Sequence, residues 1–516
     1  MTSPTKAGLR EWAGLAVLTL PCVLVSMDIS VLYLALPLLS ADLAPTATQT
    51  LWIVDVYGFL LAGFLLAMGA LGDRIGRRRL LLIGAAAFGA ASVAAAYAAT
   101  PQMLIAARAV LGVAGATLAP STLALIRSMF LDAARRRTAV GIWAAAFSGG
   151  GVIGPVVGGF LLERFWWGSV FLLNTPVMLA LLVAAPLLVP ERRGPHAGGF
   201  DLAGVGLSLA AVLPVVYGVK LLAEDDPGWA APVAVAGGLA AGVMFVRRQA
   251  RSADPLIDPG LFRSRTFSVS LAVNALTMFA LVGVVLFAAQ FLQLVAGLRP
   301  LAAALWLLPA LLATVAGVSL ATVSARRAPL GVVVAAGLVL AAAGPLAAAR
   351  LEAGSSPAFL VACVGVMAAG VGMVATLATD AVVAGAPPER AGAVSALSEA
   401  GTELGGALGI AVLGTVAASV YRARLASAVP PEAVGGLPVS ARETLAGAVA
   451  AARQAPAQLR EPLLDAAFAA FVSGLRVTCL TAAAVLACAA VLAAVLLRHV
   501  RPEAPSPRPR RDLPGG

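Results

Sequence analysis

Five ionisable residues lie inside apolar segments, where a charge is costly and therefore chemically informative. Asp28, Asp55 and Arg108 each occupy a different apolar segment, and Glu399 and Glu403 share a fourth. A charged carboxylate at the centre of a bilayer costs about 2.5–3.5 kcal/mol even on insertion-based scales. Such residues typically mark the paths of protons, ions or charged solutes. We therefore take these five as the candidate proton-coupling and substrate-binding residues.

The elements that must position these residues are membrane-spanning helices. The 516 residues are 60% hydrophobic and only 12% charged, with a mean hydropathy of +0.94, whereas soluble domains carry about 25% charged residues. A spanning helix needs about 20 apolar residues. On that length the sequence predicts fourteen spans, over residues 13–37, 51–70, 80–99, 103–125, 138–161, 168–189, 201–221, 230–247, 267–293, 301–323, 329–349, 357–384, 392–420 and 475–497. We expect an all-α polytopic membrane protein.

The basic residues predict how these spans are oriented. Most of the 36 lysine and arginine residues fall in alternate loops, and the positive-inside rule places those loops in the cytoplasm. This predicts a multi-pass protein of the inner (plasma) membrane with both termini cytoplasmic. Because the basic clusters alternate with apolar runs, the net charge of +11 does not indicate nucleic-acid binding.

The sequence gives no sign of metal, disulfide or nucleotide chemistry. Its four cysteines all lie in apolar segments, and its two histidines lie in a loop and at a helix end. We therefore expect no metal site and no cofactor. No Gly-x-x-x-x-Gly-Lys-Ser/Thr motif is present, so we expect the proton motive force, and not ATP, to supply energy.

The turn between the second and third spans carries five spaced glycine, acidic and basic residues: Gly69, Asp73, Arg74, Gly76 and Arg77. This pattern resembles the signature loop of the major facilitator superfamily. The resemblance implies that Asp73 faces a helix N-terminus in the opposite half and latches the outward-open state, which is electrostatically reasonable because that terminus carries about half a positive charge. A basic loop that serves only to orient the protein would explain the arginines, but not Asp73 with its glycines.

Arg108, in the fourth span, resembles the superfamily's buried arginine that is tied to proton coupling. At 1.5 Å per residue, Arg108 and Asp55 both lie about 6–8 Å below the outer ends of their spans. We therefore predict that the two can pair. The alternative is an arginine that extends its head group to the interface.

The fifth span carries Gly154, Pro155, Gly158 and Gly159. Their arrangement resembles the motif that marks antiporters within the superfamily. Glycines permit close helix approach and proline introduces a kink. General small-residue packing is the alternative, although it predicts glycines and not this proline position.

The first span, from Asp28 to Pro37, resembles the motif of the fourteen-span drug:proton antiporter branch, with Met27 and Ser30 as mild departures. This implies the major facilitator fold, with two six-helix bundles plus two extra central helices. The predicted parts are a cytoplasmic N-terminus (1–12), a first bundle (13–190), inserted helices with a cytoplasmic loop (191–265), a second bundle (266–500) and a disordered cytoplasmic tail (501–516). We expect the external loop 421–474 to place its amphipathic stretch Ala441–Ala452 on the membrane surface.

Glu399 and Glu403 are four residues apart, so they share one helix face. In related disinfectant exporters this helix supplies acids to the substrate pocket; an acid exposed at the inner mouth is the alternative, and it suits Glu399 better. Together these features predict a proton-coupled exporter of amphipathic, cationic drugs or toxic compounds, with protons, small molecules and lipid as partners. A natural-product self-resistance exporter, a proton-symport importer and a non-transporting scaffold or sensor are the alternatives. The oligomeric state is left open, and a monomer is compatible with the sequence.

Overall fold

The computed structural model describes residues 8–191, 201–221, 228–252, 257, 259–325, 327–384, 391–428 and 437–497. Within these ranges there are no β-strands, and fourteen helices are long and apolar enough to cross a membrane. The prediction of an all-α polytopic membrane protein is confirmed. The predicted tail 501–516 and the first seven residues lie outside the described part of the chain.

The first six spans come from seven helices. These are α1 (Leu9–Leu43), α2 (Ala47–Ile75), α3 (Arg77–Ala96), α4 (Pro101–Met129), α5 (Ala133–Arg164) and the short α6 (Ser169–Leu172), which leads into α7 (Asn174–Leu188). The two inserted spans are α8 (Leu202–Leu221) and α9 (Ala230–Arg251). A 3₁₀ turn over Pro259–Arg263 precedes the next span.

The last six spans are α10 to α14 and α17, with two short helices in the long loop. Their bounds are α10 (Arg265–Gln290, continued by a π-helical turn over Phe291–Val295), α11 (Pro300–Ser324), α12 (Leu330–Ala348), α13 (Pro357–Ala384), α14 (Ala391–Ala428), α15 (Val439–Glu443), α16 (Leu445–Gln454) and α17 (Ala457–Leu496).

Side-chain caps fix the starts of several helices. The side chains of Thr46, Thr100, Asp132 and Ser264 each accept a hydrogen bond from the backbone N–H three residues later. Such a cap is worth about 0.5–2 kcal/mol.

Most spanning helices extend beyond the predicted apolar runs, because hydropathy measures the hydrocarbon thickness whereas the helix continues into the interface.

The helices pack as two groups that meet along two seams. In the first group α1 packs on α5, α2 on α4, and α3 on α4 and α7; in the second, α11 and α12 pack on α13, α10 on α14, and α12 on α17. The groups meet where α2 contacts α14 and where α5 contacts α11. The inserted helices α8 and α9 pack on each other, and α8 also contacts both α2 and α14.

The long loop differs from its prediction over residues 421–474. α14 continues to Ala428 and α17 begins at Ala457, so both ends of that range are helical. Between them, Ala441, Leu445 and Ala448 are buried because α15 and α16 pack against α14 and α17. The expectation that Ala441–Ala452 lies on the membrane surface is wrong: the apolar face of this segment covers protein helices. We call the end of the molecule that carries α15 and α16 the loop end.

Candidate functional site

Asp28 and Arg108 form a buried ion pair between α1 and α4. Arg108 Nη1 donates to the Asp28 carboxylate, and the guanidinium is completely buried. Its Nε donates to the carbonyl of Ile53 at 3.1 Å, and its Nη2 to that of Val54 at 3.4 Å. The guanidinium carbon also lies 4.5 Å from the ring centroid of Tyr57. Arg108 is therefore held by one contact with α1 and three with α2.

Asp55 and Lys220 form a second buried ion pair, which joins α2 to the inserted helix α8. The Lys220 Nζ lies 2.9 Å from both oxygens of the Asp55 carboxylate, and neither side chain is exposed. The same Nζ lies 3.7 Å from the ring centroid of Trp52, one turn earlier in α2. A carboxylate and an aromatic face thus enclose the ammonium group.

The predicted pairing of Arg108 with Asp55 is wrong. The two residues lie at similar depth, as the span lengths indicate, and Arg108 even contacts the carbonyl of Val54, the residue before Asp55. However, each carboxylate has a different cation: Arg108 binds Asp28, and Lys220 binds Asp55. The rotation of each helix about its axis, which depth does not specify, decides between these partners.

Glu399 and Glu403 lie on α14, and both are half-buried. Among the described residues, neither carboxylate has a hydrogen-bond or ion-pair partner. Glu403 is close enough to Tyr33 and Tyr57 to interact electrostatically with both. These hydroxyls are buried and lack a described hydrogen-bond partner. Of the two acids, Glu403 is therefore the one near the tyrosines, and Tyr57 in turn lies against Arg108.

The glycines of α14 allow a close approach by α10. A Cβ atom at Gly405 would collide with the carbonyl oxygen of Ala275, and one at Gly409 with that of Phe279. Asn274 of α10 donates a 2.9 Å hydrogen bond to Thr402. α14 therefore presents its acids while it is fixed tightly against its neighbour.

The glycines of α5 face both halves of the protein. A Cβ atom at Gly154 would lie 2.7 Å from the Cβ of Met27, and one at Gly158 would lie 2.6 Å from Val31, both on α1. A Cβ at Gly159 would lie 2.7 Å from the Cα of Leu301, on α11. Pro155 lies within the helix between these contacts. The motif thus brings α5 close to α1 and, at the loop end, to α11.

In the turn between α2 and α3, Asp73 pairs with Arg77 at 2.6 Å, within its own half. The structure describes no contact of Asp73 with the opposite half, so the latch role remains a prediction. Gly76 has φ +109°, and a Cβ there would lie 2.7 Å from the Glu191 carboxylate. Arg74 is exposed, and a Cβ at Gly69 would meet nothing within 4 Å.

Glu191 fixes this turn and is absent from the sequence prediction. Its Oε1 accepts from the backbone N–H of Arg78 at 3.0 Å, and its Oε2 lies 3.7 Å from the Arg78 guanidinium. An acid just after a predicted span, beside a basic turn, is the only signal that points to it.

Lys220 is the main functional candidate that the sequence prediction did not select. It lies one residue before the end of the predicted span 201–221, where a lysine ordinarily extends its head group to the interface. Only three apolar residues separate Lys220 from the acidic run that begins at Glu224, so hydropathy provides no signal that identifies this lysine as buried.

A further ion pair joins the start of α8 to α9, outside the apolar region. The Arg248 guanidinium donates to Asp201 at 2.7 Å, and this hydrogen bond holds the pKa of the Asp201 carboxyl below its ordinary value of 3.8.

Regarding metals, the described ranges contain no group of three or more His, Cys, Asp or Glu side chains that could hold an ion.

A cavity lies between the two halves at the loop end, beneath α15 and α16. It is small, with about 70 Å³ of room for water-sized molecules. Apolar residues such as Leu51, Leu286 and Phe287 line most of it, and Gln290 and Glu443 provide polar groups. Glu443 also accepts a 2.8 Å hydrogen bond from the N–H of Ala47 at the start of α2.

Comparisons with known proteins agree with this architecture. The model of the Major Facilitator Superfamily matches residues 20–410. The multidrug efflux pump LfrA of Mycolicibacterium smegmatis is 45% identical over 500 residues, which cover 96% of this chain and 98% of that protein. The methyl viologen resistance protein SmvA of Salmonella typhimurium is 36% identical over 470 residues, covering 90% and 93%.

Two further relatives extend the comparison. The tetracenomycin C resistance and export protein of Streptomyces glaucescens is 30% identical over 516 residues, covering 98% of this chain and 94% of that protein. Among solved structures, a bacterial homologue of the human lysosomal transporter Spinster matches with a TM-score of 0.63 and 19% identity, covering 96% and 98%. The latter likeness concerns the fold alone.

Proposed function

The chain belongs to the Major Facilitator Superfamily and is a transporter, not an enzyme; we propose that it exports amphipathic, cationic drugs or toxic compounds in exchange for protons. The observation that carries the proposal is the buried pair of Asp28 and Arg108. Two relatives that match nearly the whole chain are a multidrug efflux pump and a methyl viologen resistance protein, and methyl viologen is an organic cation.

In this mechanism a proton and the cargo compete for the same carboxylates. Asp28 is buried against Arg108, so its carboxylate can be released only when the ion pair separates. The carbonyls of Ile53 and Val54 would leave Arg108 with hydrogen-bond partners during that separation. A proton on the carboxylate then weakens the binding of a cationic cargo, while its loss restores binding. A one-for-one exchange of a proton for a monovalent cation moves no net charge, so the pH gradient drives it, and each pH unit supplies about 1.4 kcal/mol, a factor of about ten in accumulation.

We further propose that this conformation is closed at the loop end and accepts cargo from the opposite side. The named contacts between the halves support this: α5 touches α11 at Leu301, and Gly414 of α14 lies against Leu51 of α2. Asp73 is bonded to Arg77 on its own turn, as expected when its latch is open. In the proposed orientation both termini face the cytoplasm and the loop end faces outward, with the protein in the inner (plasma) membrane.

The experiment is proton release from acid-loaded everted vesicles that contain the protein, monitored with a pH-sensitive dye after addition of tetraphenylphosphonium. We expect the wild-type protein to release protons and Asp28→Asn to release none, although it inserts normally. Asp465→Asn is the matched control, since Asp465 is an exposed acid on α17. Equal release by wild type and Asp28→Asn would contradict the proposal.

A second candidate is an exporter dedicated to one natural product, which the match to the tetracenomycin C resistance and export protein favours. A susceptibility panel in an efflux-deficient host separates the two candidates. Resistance to several unrelated cations, abolished by a protonophore, supports the multidrug function; resistance to one natural product alone supports the dedicated exporter.

A further inference from the structure

The pair formed by Asp55 and Lys220 has the composition of an organic-cation site that is already filled. Receptors for organic cations combine an anion with an aromatic face. Here the Asp55 carboxylate lies 2.9 Å from the Lys220 Nζ, and the ring of Trp52 lies 3.7 Å from the same atom. The cation in this site is part of the chain itself.

The location of the pair connects it with the movement of the two halves. α8 lies along the seam where α2 meets α14: Val216 of α8 packs with Phe59 of α2 and with Ala407 and Ala411 of α14. Any movement that opens this seam must therefore alter the surroundings of α8. Such an opening would bring the fully buried Asp55–Lys220 pair into contact with water or cargo.

The two inserted helices pack closely against each other. A Cβ at Gly218 of α8 would lie 2.8 Å from the carbonyl oxygen of Ala231 of α9, and one at Gly238 would lie 2.9 Å from that of Ala211. The two backbones are therefore in close contact. Lys220 is two residues from Gly218, so a shift of this helical pair would carry the ammonium away from Asp55.

We propose that Asp55 and Trp52 form a second binding site for organic cations, which Lys220 occupies in this conformation as a tethered competitor. When the seam opens, a cationic cargo takes the place of the ammonium group; when it closes, Lys220 displaces the cargo and neutralises Asp55. The carboxylate is then never left buried without a cation, which would be costly. This inference rests on the proposed function, because it assumes that the cargo is a cation.

The first test measures the Kd of tetraphenylphosphonium for the purified full-length protein. A competitor that fills a site nine-tenths of the time raises the apparent Kd about tenfold. We therefore expect Lys220→Gln to bind the probe at least about tenfold more tightly. Lys220→Arg keeps the tethered cation and should bind as the wild type does. Asp55→Asn combined with Lys220→Gln should lose the gain, and adding Trp52→Leu to Lys220→Gln should reduce it several-fold.

A second measurement uses the unaltered protein, so it does not depend on the folding of a variant. Lys6 and Lys220 are the only lysines in the sequence, so acylation by a membrane-permeant succinimidyl ester can be followed at each by mass spectrometry. Saturating tetraphenylphosphonium should accelerate acylation of Lys220 several-fold, because the displaced amine becomes accessible, and should leave Lys6 unchanged. Neutral triphenylphosphine oxide should have no effect.

The outcomes separate this inference from the proposed function. If the wild type binds tetraphenylphosphonium, but Lys220→Gln binds it no more tightly and the probe does not accelerate labelling of Lys220, the tethered-competitor site is refuted. Drug-driven proton release that requires Asp28 would still support the exporter. Conversely, if the wild-type protein releases no protons when the drug is added, the proposed proton-coupled export is refuted directly.

Discussion

Replacing either member of the Asp28–Arg108 pair tests how much this buried pair stabilises the protein. Arg108→Gln leaves a carboxylate that is only 7% exposed without its cation, and breaking a buried pair in this way costs about 3–5 kcal/mol. Asp28→Asn should cost less, about 2–3 kcal/mol, because the stranded guanidinium keeps the carbonyl oxygens of Ile53 and Val54 at 3.1 and 3.4 Å.

The double variant separates the interaction from the burial of each group. With both charges removed, neither partner is left buried and unpaired, so the two costs should not add. We expect a coupling energy of about 2–3 kcal/mol, measured from the free energy of reversible unfolding in mixed detergent micelles. Arg299→Gln, at an exposed position, is the control and should change stability by less than about 0.5 kcal/mol. Additive costs for Asp28→Asn and Arg108→Gln would refute the pairing.

Three other substitutions test a close helix contact, the backbone conformation of a glycine and an ion pair. Gly158→Ala places a Cβ 2.6 Å from Val31, so it should cost about 1–3 kcal/mol of stability and reduce drug efflux. Gly151→Ala is the control and should be tolerated, because its Cβ would meet its nearest neighbour only at 3.6 Å. Equal effects of the two substitutions in efflux assays would contradict this. Gly76→Ala must adopt φ +109° and should lower stability by about 1–3 kcal/mol, seen as a lower thermal-unfolding midpoint; an unchanged midpoint would count against it. Because the pKa of Asp201 is lowered, its ion pair stabilises the protein at pH values above the ordinary pKa of 3.8, and this stabilisation is lost as the pH falls through the lowered pKa. The difference in stability between wild type and Asp201→Asn should therefore shrink on acidification. A difference that grows on acidification would contradict this.

The sequence was sufficient to predict the fold because spanning helices carry a strong one-dimensional signal. Apolar length predicted all fourteen spans, and the motif around Asp73 indicated the superfamily. Partner choice depends instead on helix rotation, and the sequence does not encode rotation locally. For this reason the sequence could place Arg108 level with Asp55, which its contact with Val54 agrees with, while its partner is Asp28 and not Asp55.

Two other differences have the same physical origin. Lys220 lies near a helix end, so hydropathy alone could not distinguish an interfacial lysine from one buried against Asp55 and Trp52. Similarly, the amphipathic stretch Ala441–Ala452 has one apolar face, and the sequence does not specify whether lipid or protein covers it. In the structure α14 and α17 cover it, because the loop is tethered between the ends of those two helices.

The distribution of partners among the buried charges suggests a division of roles between the halves. In the first half, Asp28 and Asp55 are each neutralised by a cation from the chain itself. In the second half, Glu399 and Glu403 have no such partner among the described residues and are partly exposed. If the cargo is a cation, as we propose, the acids on α14 can bind it without displacing a cation of the chain. To bind the acids of α1 and α2, such a cargo would have to displace Arg108 or Lys220, and under the proposed function this exchange would link cargo binding to movement of the helices.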